Sequence, residues 1–150
     1  MKRGFGFWFL FIIAVLLVVM MLLGQTMAFI DYEFTESIGL QEPVSLISEI
    51  GKAVNQAFGI GDTVIYLPLL VIGLIGLWMK KIWGVFVMFG ALAITVYWPI
   101  VCSFIFILAQ GAPGYFFTEY LETVIIILLI ALYGIWGMYY IYRNRDRLVD

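Results

Sequence analysis

Histidine is absent from this chain, and cysteine occurs once, at Cys102. The first absence removes the commonest general base, the commonest zinc ligand and the usual switch near neutral pH. The second leaves no intrachain disulfide and no cysteine cluster for a metal. Charge is scarce as well. Only 12% of the 150 residues are Asp, Glu, Lys or Arg, about half the share of an ordinary soluble domain. Glycine-rich phosphate loops, nucleophile–base pairs and nucleic-acid motifs are all missing. The expectations are therefore no enzyme, no catalytic or metal site, no cofactor and no nucleic-acid partner.

What is present is apolar surface, since 65% of the chain is hydrophobic. A small soluble fold has too much surface relative to its volume to hide that fraction, so the expected solvent is lipid. A bilayer core about 30 Å thick needs roughly 20 apolar residues per helix. Charge-free runs occupy residues 4–30, 63–79, 82–118 and 123–142. The third is too long for one span and breaks at Gly111, Ala112, Pro113 and Gly114. Backbone in lipid must bond internally, so each run predicts a helix. The reading is an all-α integral membrane protein, a four-helix transmembrane bundle forming one domain over residues 1–150. Its spans are predicted at residues 5–27, 63–79, 82–110 and 121–142, with an outer loop at 28–61.

Orientation follows from the basic residues. Lys2 and Arg3 precede the first span, Lys80 and Lys81 separate the second and third, and Arg143, Arg145 and Arg147 follow the fourth. Only Lys52 falls on the other side. The positive-inside rule then predicts a multi-pass protein of the cell membrane with both termini cytoplasmic. Trp8, Trp78, Trp83 and Trp136 sit near the inner ends, with Tyr139, Tyr140 and Tyr142 extending that belt. Tyr115, Phe116, Phe117 and Tyr120 suit the outer one, and Trp98 fits neither. The first segment also has features of a signal peptide, with Thr26-Met27-Ala28 as a cleavage site. Its apolar stretch over residues 5–23 exceeds the usual signal core.

The outer loop predicts an amphipathic helix between the first and second spans. Pro43 suits its first turn, Gly59 its C-terminal cap, and Val44, Ile47, Ile50, Val54 and Phe58 repeat at helical spacing. It reads either as a membrane-surface or partner-docking helix, or as a lid on the bundle. No ionisable residue falls in the middle of a predicted span, which argues against an ion-coupled transporter.

The third span is the most polar. Ala91, Thr95, Pro99 and Ser103 recur every fourth residue, with Cys102 beside them and Tyr97 and Trp98 adjacent. Pro99 cannot donate the bond that the Thr95 carbonyl would accept. This stretch is a candidate polar notch, read either as a ligand or ion site or as helix contact through small residues and hydroxyls. Gly73 and Gly76 in the second span resemble Ala131, Gly134 and Gly137 in the fourth, with Trp78 and Trp136 closing each run. Small residues at this spacing let backbones approach and are candidate packing positions. Either an internal duplication or coincidence in a restricted alphabet explains the likeness. Ala14 in the first span lies on no such face.

Asp31, Glu33 and Glu36 lack the spacing of a calcium loop and read as solvated. The tail from Arg143 to Arg147 fixes topology or touches anionic headgroups. A four-span plan with a large first outer loop resembles the claudin-like proteins. Those carry a cysteine pair in that loop, this one has no cysteine there, and the resemblance implies nothing further. The functional expectation is a non-enzymatic accessory, assembly or regulatory subunit. Its expected partners are membrane lipids, other membrane proteins or a second copy of itself. The alternative is a small oligomeric channel or transporter with a path along the Thr95–Ser103 face.

Overall fold

The computed structural model describes residues 3–109 and 120–150, and among them every regular element is helical. Four helices are long and apolar enough to cross a membrane: α1 (Phe5–Ile30), α3 (Val44–Trp78), α4 (Ile82–Leu108) and α5 (Tyr120–Leu148), the last counted from Glu122. A short helix, α2 (Tyr32–Ser37), joins the first two. Large side chains such as Ile12, Leu16, Ile72, Ile75, Phe104 and Leu132 stand exposed around the bundle. In water this surface would be an aggregation hazard. In lipid it is the expected coat, and the chain is a multi-pass helical membrane protein.

The core forms along α4. Leu10 and Ala14 of α1, Leu70 and Leu77 of α3, and Met88, Ala91 and Leu92 of α4 are almost fully buried together. Glycines set the closest approaches. Gly76 of α3 lies against Gly84 of α4, so a Cβ on either would strike the other's backbone. A Cβ on Gly73 would come within 3.0 Å of the Met88 backbone. On α5, Gly134 faces the Leu92 carbonyl and Val96, and Gly137 faces Leu10 and Leu92. Ala131 is half-buried. The two similar glycine runs thus both meet α4, one from α3 and one from α5. Ala14 is a correction to the sequence reading. It has no solvent exposure, because it lies in the same seam as Leu10 and Leu17.

Chain breaks have local causes. Asp31 leaves helical geometry and accepts a bond from the Phe34 amide at 3.0 Å, which ends α1 and caps α2. Gly39, with φ +73, closes α2. The Gly39 amide donates to the Glu36 carbonyl and the Leu40 amide to the Thr35 carbonyl, the paired bonds of a glycine C-cap. At the far end α5 continues to Leu148, so Arg143, Arg145 and Arg147 ride on helix. The predicted α4 terminus at Gln110, the break at 111–114 and the outer aromatics at 115–117 lie outside the described residues.

The second span departs most from expectation. The outer amphipathic helix is not a separate element, because α3 runs through Gly59 and Gly61 without ending. Gly59 is a contact glycine, not a cap. A Cβ there would meet the Gln25 carbonyl oxygen at 2.5 Å. One break occurs at Ser48, whose φ of 64 rotates the helix that follows. The apolar stripe therefore does not all face inward. Ile47, Gly51 and Gly59 are buried, whereas Ile50 and Val54 are exposed.

Candidate functional site

Two widened π-helical turns, at Met21–Thr26 of α1 and Asp62–Tyr66 of α3, pack side by side towards the end of the bundle away from the N- and C-terminal segments. Such turns disturb the regular backbone ladder and often mark functional positions. Side chains meet carbonyls around them. Gln41 donates to the Gly24 carbonyl at 3.1 Å, and the Thr63 hydroxyl to the Gly59 carbonyl at 2.7 Å. The Thr26 and Thr63 hydroxyls meet at 2.9 Å and tie the two turns together. Tyr32 is buried just above. Its hydroxyl donates to the Glu42 carbonyl and accepts from Asn55, and burial raises its pKa.

Asp62 opens the second of these turns and is only 8% exposed. Its Oδ2 has no hydrogen-bond partner among the described residues. One turn further in, the Tyr66 hydroxyl bonds the Thr95 hydroxyl at 2.7 Å, and Thr95 in turn donates to the Ala91 carbonyl. The pairs Gly76–Gly84, Gly73–Met88 and Tyr66–Thr95 define one antiparallel register between α3 and α4. Extending it one turn outward sets Asp62 across from Pro99. At a rise of about 1.5 Å per residue, Asp62 stands roughly 24 Å along the helix from Trp78, inside an apolar layer about 30 Å thick. Asp62 thus stands close to one edge of that layer, and the reading that no ionisable residue falls in the middle of a span is not contradicted among the described residues. The charge-free run ended at Asp62 because only sequence distance was available. The helix carries the carboxylate into the packed bundle.

The six notch residues do not share one environment. Thr95 and Pro99 are buried in the core. Tyr97 points out to lipid at 64% exposure, because it stands on the opposite side of α4. Ser103 turns back to the Pro99 carbonyl at 2.8 Å. Trp98 and Cys102 line a separate cavity of about 480 Å³. The continuous face expected from four-residue spacing is thus divided, since Tyr66 closes it at Thr95.

That cavity lies between α3, α4, α5 and the 39–43 segment, at the end of the bundle away from the N- and C-terminal segments. Its lining combines polar side chains, among them Gln25, Gln41 and Asn55, with apolar ones, among them Phe58, Trp98, Ile126 and Ile130. It explains why Trp98 lies away from both aromatic belts. Sequence periodicity could not find it, because its lining comes from every spanning helix. Asp62 could have been found. Gly59, Asp62, Tyr66, Leu70, Gly73 and Leu77 step by three and four residues along one buried seam. Among the described residues no group of three metal-ligating side chains converges.

The opposite end gathers the N-terminal segment, the α3–α4 turn and the C-terminal segment. Arg3 donates to the Trp78 carbonyl at 2.5 Å and stacks over the Phe7 and Trp78 rings. Lys80 bonds Asp150 at 2.7 Å, and this hydrogen bond holds the Asp150 carboxyl below its ordinary pKa. Comparison with protein-family models, curated proteins and solved structures finds no match.

Proposed function

We propose that this chain is a non-enzymatic membrane subunit that works by binding, through membrane lipids, other membrane proteins or a second copy of itself. The observation that carries this reading is the outer cavity. It is large enough for a substantial group, is lined by both polar and apolar side chains, and is open at the bundle's edge. Ligand and partner sites have this character. The sealed Tyr66–Thr95 contact also speaks for binding, since it blocks the Thr95–Ser103 face as a path within one chain.

The test places a photoreactive residue at Ile126, exposed in the cavity wall, and separately at Ile72, on the outer surface of α3. Illumination in native membranes is expected to give a discrete adduct from Ile126 and only diffuse lipid labelling from Ile72. Matching patterns at both positions would sink the reading.

In this proposal the termini are cytoplasmic and the cavity faces the outside of the cell membrane. Cysteines at Ser37 and Ser48, on a Cys102→Ser background, are expected to react with an impermeant thiol reagent added to intact cells. Cysteines at Asn144 and Lys80 are expected to react only after lysis. Labelling of Asn144→Cys in intact cells would reverse the orientation.

One observation favours the second reading, a small oligomeric channel or transporter. Asp62 carries a buried carboxylate oxygen with no hydrogen-bond partner among the described residues, within a spanning helix, and such residues often mark ion or proton pathways. Flux in proteoliposomes, lost on Asp62→Asn, would select it.

A further inference from the structure

The cytoplasmic-side end, in the orientation proposed above, holds a second pocket that the binding reading does not use. It measures about 290 Å³ and is bordered by Arg3, Lys80 and Arg147, with Asn144 and Tyr140 between them. Its apolar side is made by Phe7 and Leu77, which lead into the bundle core. Gly4 and Gly6 also line it. Gly6 lies so close to the Tyr140 ring that a Cβ would stand 2.5 Å from it. Three cations from three separate chain segments thus surround one small space.

We infer that this pocket binds the phosphate of an anionic membrane lipid. The three cations differ in readiness. Arg3 is fixed by the Trp78 carbonyl and two aromatic rings. Lys80 already carries a carboxylate, that of Asp150. Arg147 has no hydrogen bond or ion pair among the described residues and is the cation free to take a ligand oxygen. A phosphate diester offers several acceptors, which arginine pairs with in a forked geometry that lysine lacks. The pocket lies level with Trp8 and Trp78, whose rings contact each other 6.2 Å apart at this end. Tryptophan prefers the headgroup layer, so lipid phosphates stand at the same depth. Basic pockets between spanning helices are a known way to hold such headgroups. The apolar wall of Phe7 and Leu77 suits the glycerol and first acyl carbons of a lipid better than a free ion.

Asp150 acts in this arrangement as an internal competitor. Its carboxylate occupies Lys80 and neutralises part of the field. Removing that charge should strengthen lipid binding, whereas a purely structural Lys80–Asp150 contact predicts no gain.

The experiment uses the full chain in neutral detergent with short-chain phosphatidylglycerol, the matching phosphatidylcholine and inorganic phosphate as separate probes. Phosphatidylglycerol is expected to bind at least tenfold more tightly than phosphatidylcholine and to weaken as salt rises. Arg147→Gln is expected to weaken it about fivefold, the effect of one interfacial cation. Because Arg147 makes no hydrogen bond or ion pair among the described residues, this change breaks neither. Asp150→Asn is expected to strengthen binding severalfold. Arg143→Gln, outside the pocket, is expected to leave it unchanged. Equal binding of the two lipids, or an Arg147→Gln variant that binds like wild type, overturns the site. Displacement of the lipid by equimolar inorganic phosphate overturns the lipid assignment in favour of a soluble anion. None of these outcomes depends on the outer cavity, so failure here leaves the binding reading standing.

Discussion

Gly76→Leu is expected to lower the unfolding free energy in detergent by about 3 kcal/mol, the upper part of the usual overpacking range. The reason lies in what the new side chain meets. A Cβ at Gly76 would strike the Gly84 Cα, and the Trp83 ring stands 2.5 Å away. Backbone cannot rotate aside as a side chain can, so α3 and α4 must separate along the seam that includes Leu77 and Val85. Gly134→Leu meets the Val96 side chain first and then the Leu92 carbonyl at 3.1 Å, so its loss should be smaller, about 1–2 kcal/mol. Gly90→Leu is the control. Nothing lies within 4 Å of the position its Cβ would take, and glycine is itself a poor helix former by about 1 kcal/mol. Ala14→Leu joins the costly group, because Ala14 is sealed in the core. Denaturation midpoints in one detergent would rank the four. Equal midpoints for Gly76→Leu and Gly90→Leu would refute the close α3–α4 contact.

That ranking also marks how far the sequence could be read. Element type was legible because lipid leaves the backbone few choices, and long uncharged runs have one stable form there. The small-residue spacings of Gly73, Gly76, Gly134 and Gly137 pointed to one face, and all four are buried. Ala14 was not legible. A single alanine among leucines and isoleucines gives no periodic signal, and its burial depends on where Leu10, Leu17 and Tyr66 stand. The notch at Thr95–Ser103 was read as continuous because a four-residue step drifts slowly round a helix. Burial divided it, since α3 covers one end and the cavity opens at the other. The outer helix was separated from the second span by a glycine rule. Gly59 and Gly61 looked like an ending, yet only the position of Gln25 reveals that Gly59 makes room for α1. Local chemistry therefore placed helices well and boundaries poorly wherever a residue's role was set by another helix.

Asp62→Leu is expected to make the protein more stable, by about 1–3 kcal/mol, the usual penalty of a buried polar group without a partner. Most core substitutions destabilise, so the sign alone is informative. Asp62 is nearly sealed, its Oδ2 is unbonded among the described residues, and the cations Arg3, Lys80 and Arg147 gather at the opposite end of the bundle. Neighbouring hydroxyls on α3 and α4 are already committed, Thr63 to the Gly59 carbonyl, Tyr66 to Thr95, and Thr95 to the Ala91 carbonyl. Leucine fits the seam from Gly59 to Leu70 and removes the orphan oxygen. Asp62→Asn separates charge from shape, because it keeps the volume and the polarity. If the binding reading holds, both variants keep the Ile126 adduct at wild-type level and only stability changes. If the transport reading holds, Asp62→Asn abolishes flux although the bundle remains folded. A loss of stability on Asp62→Leu comparable to that of Gly76→Leu would contradict the orphan carboxylate itself. It would mean that Asp62 has a partner within the membrane, on this chain or on another.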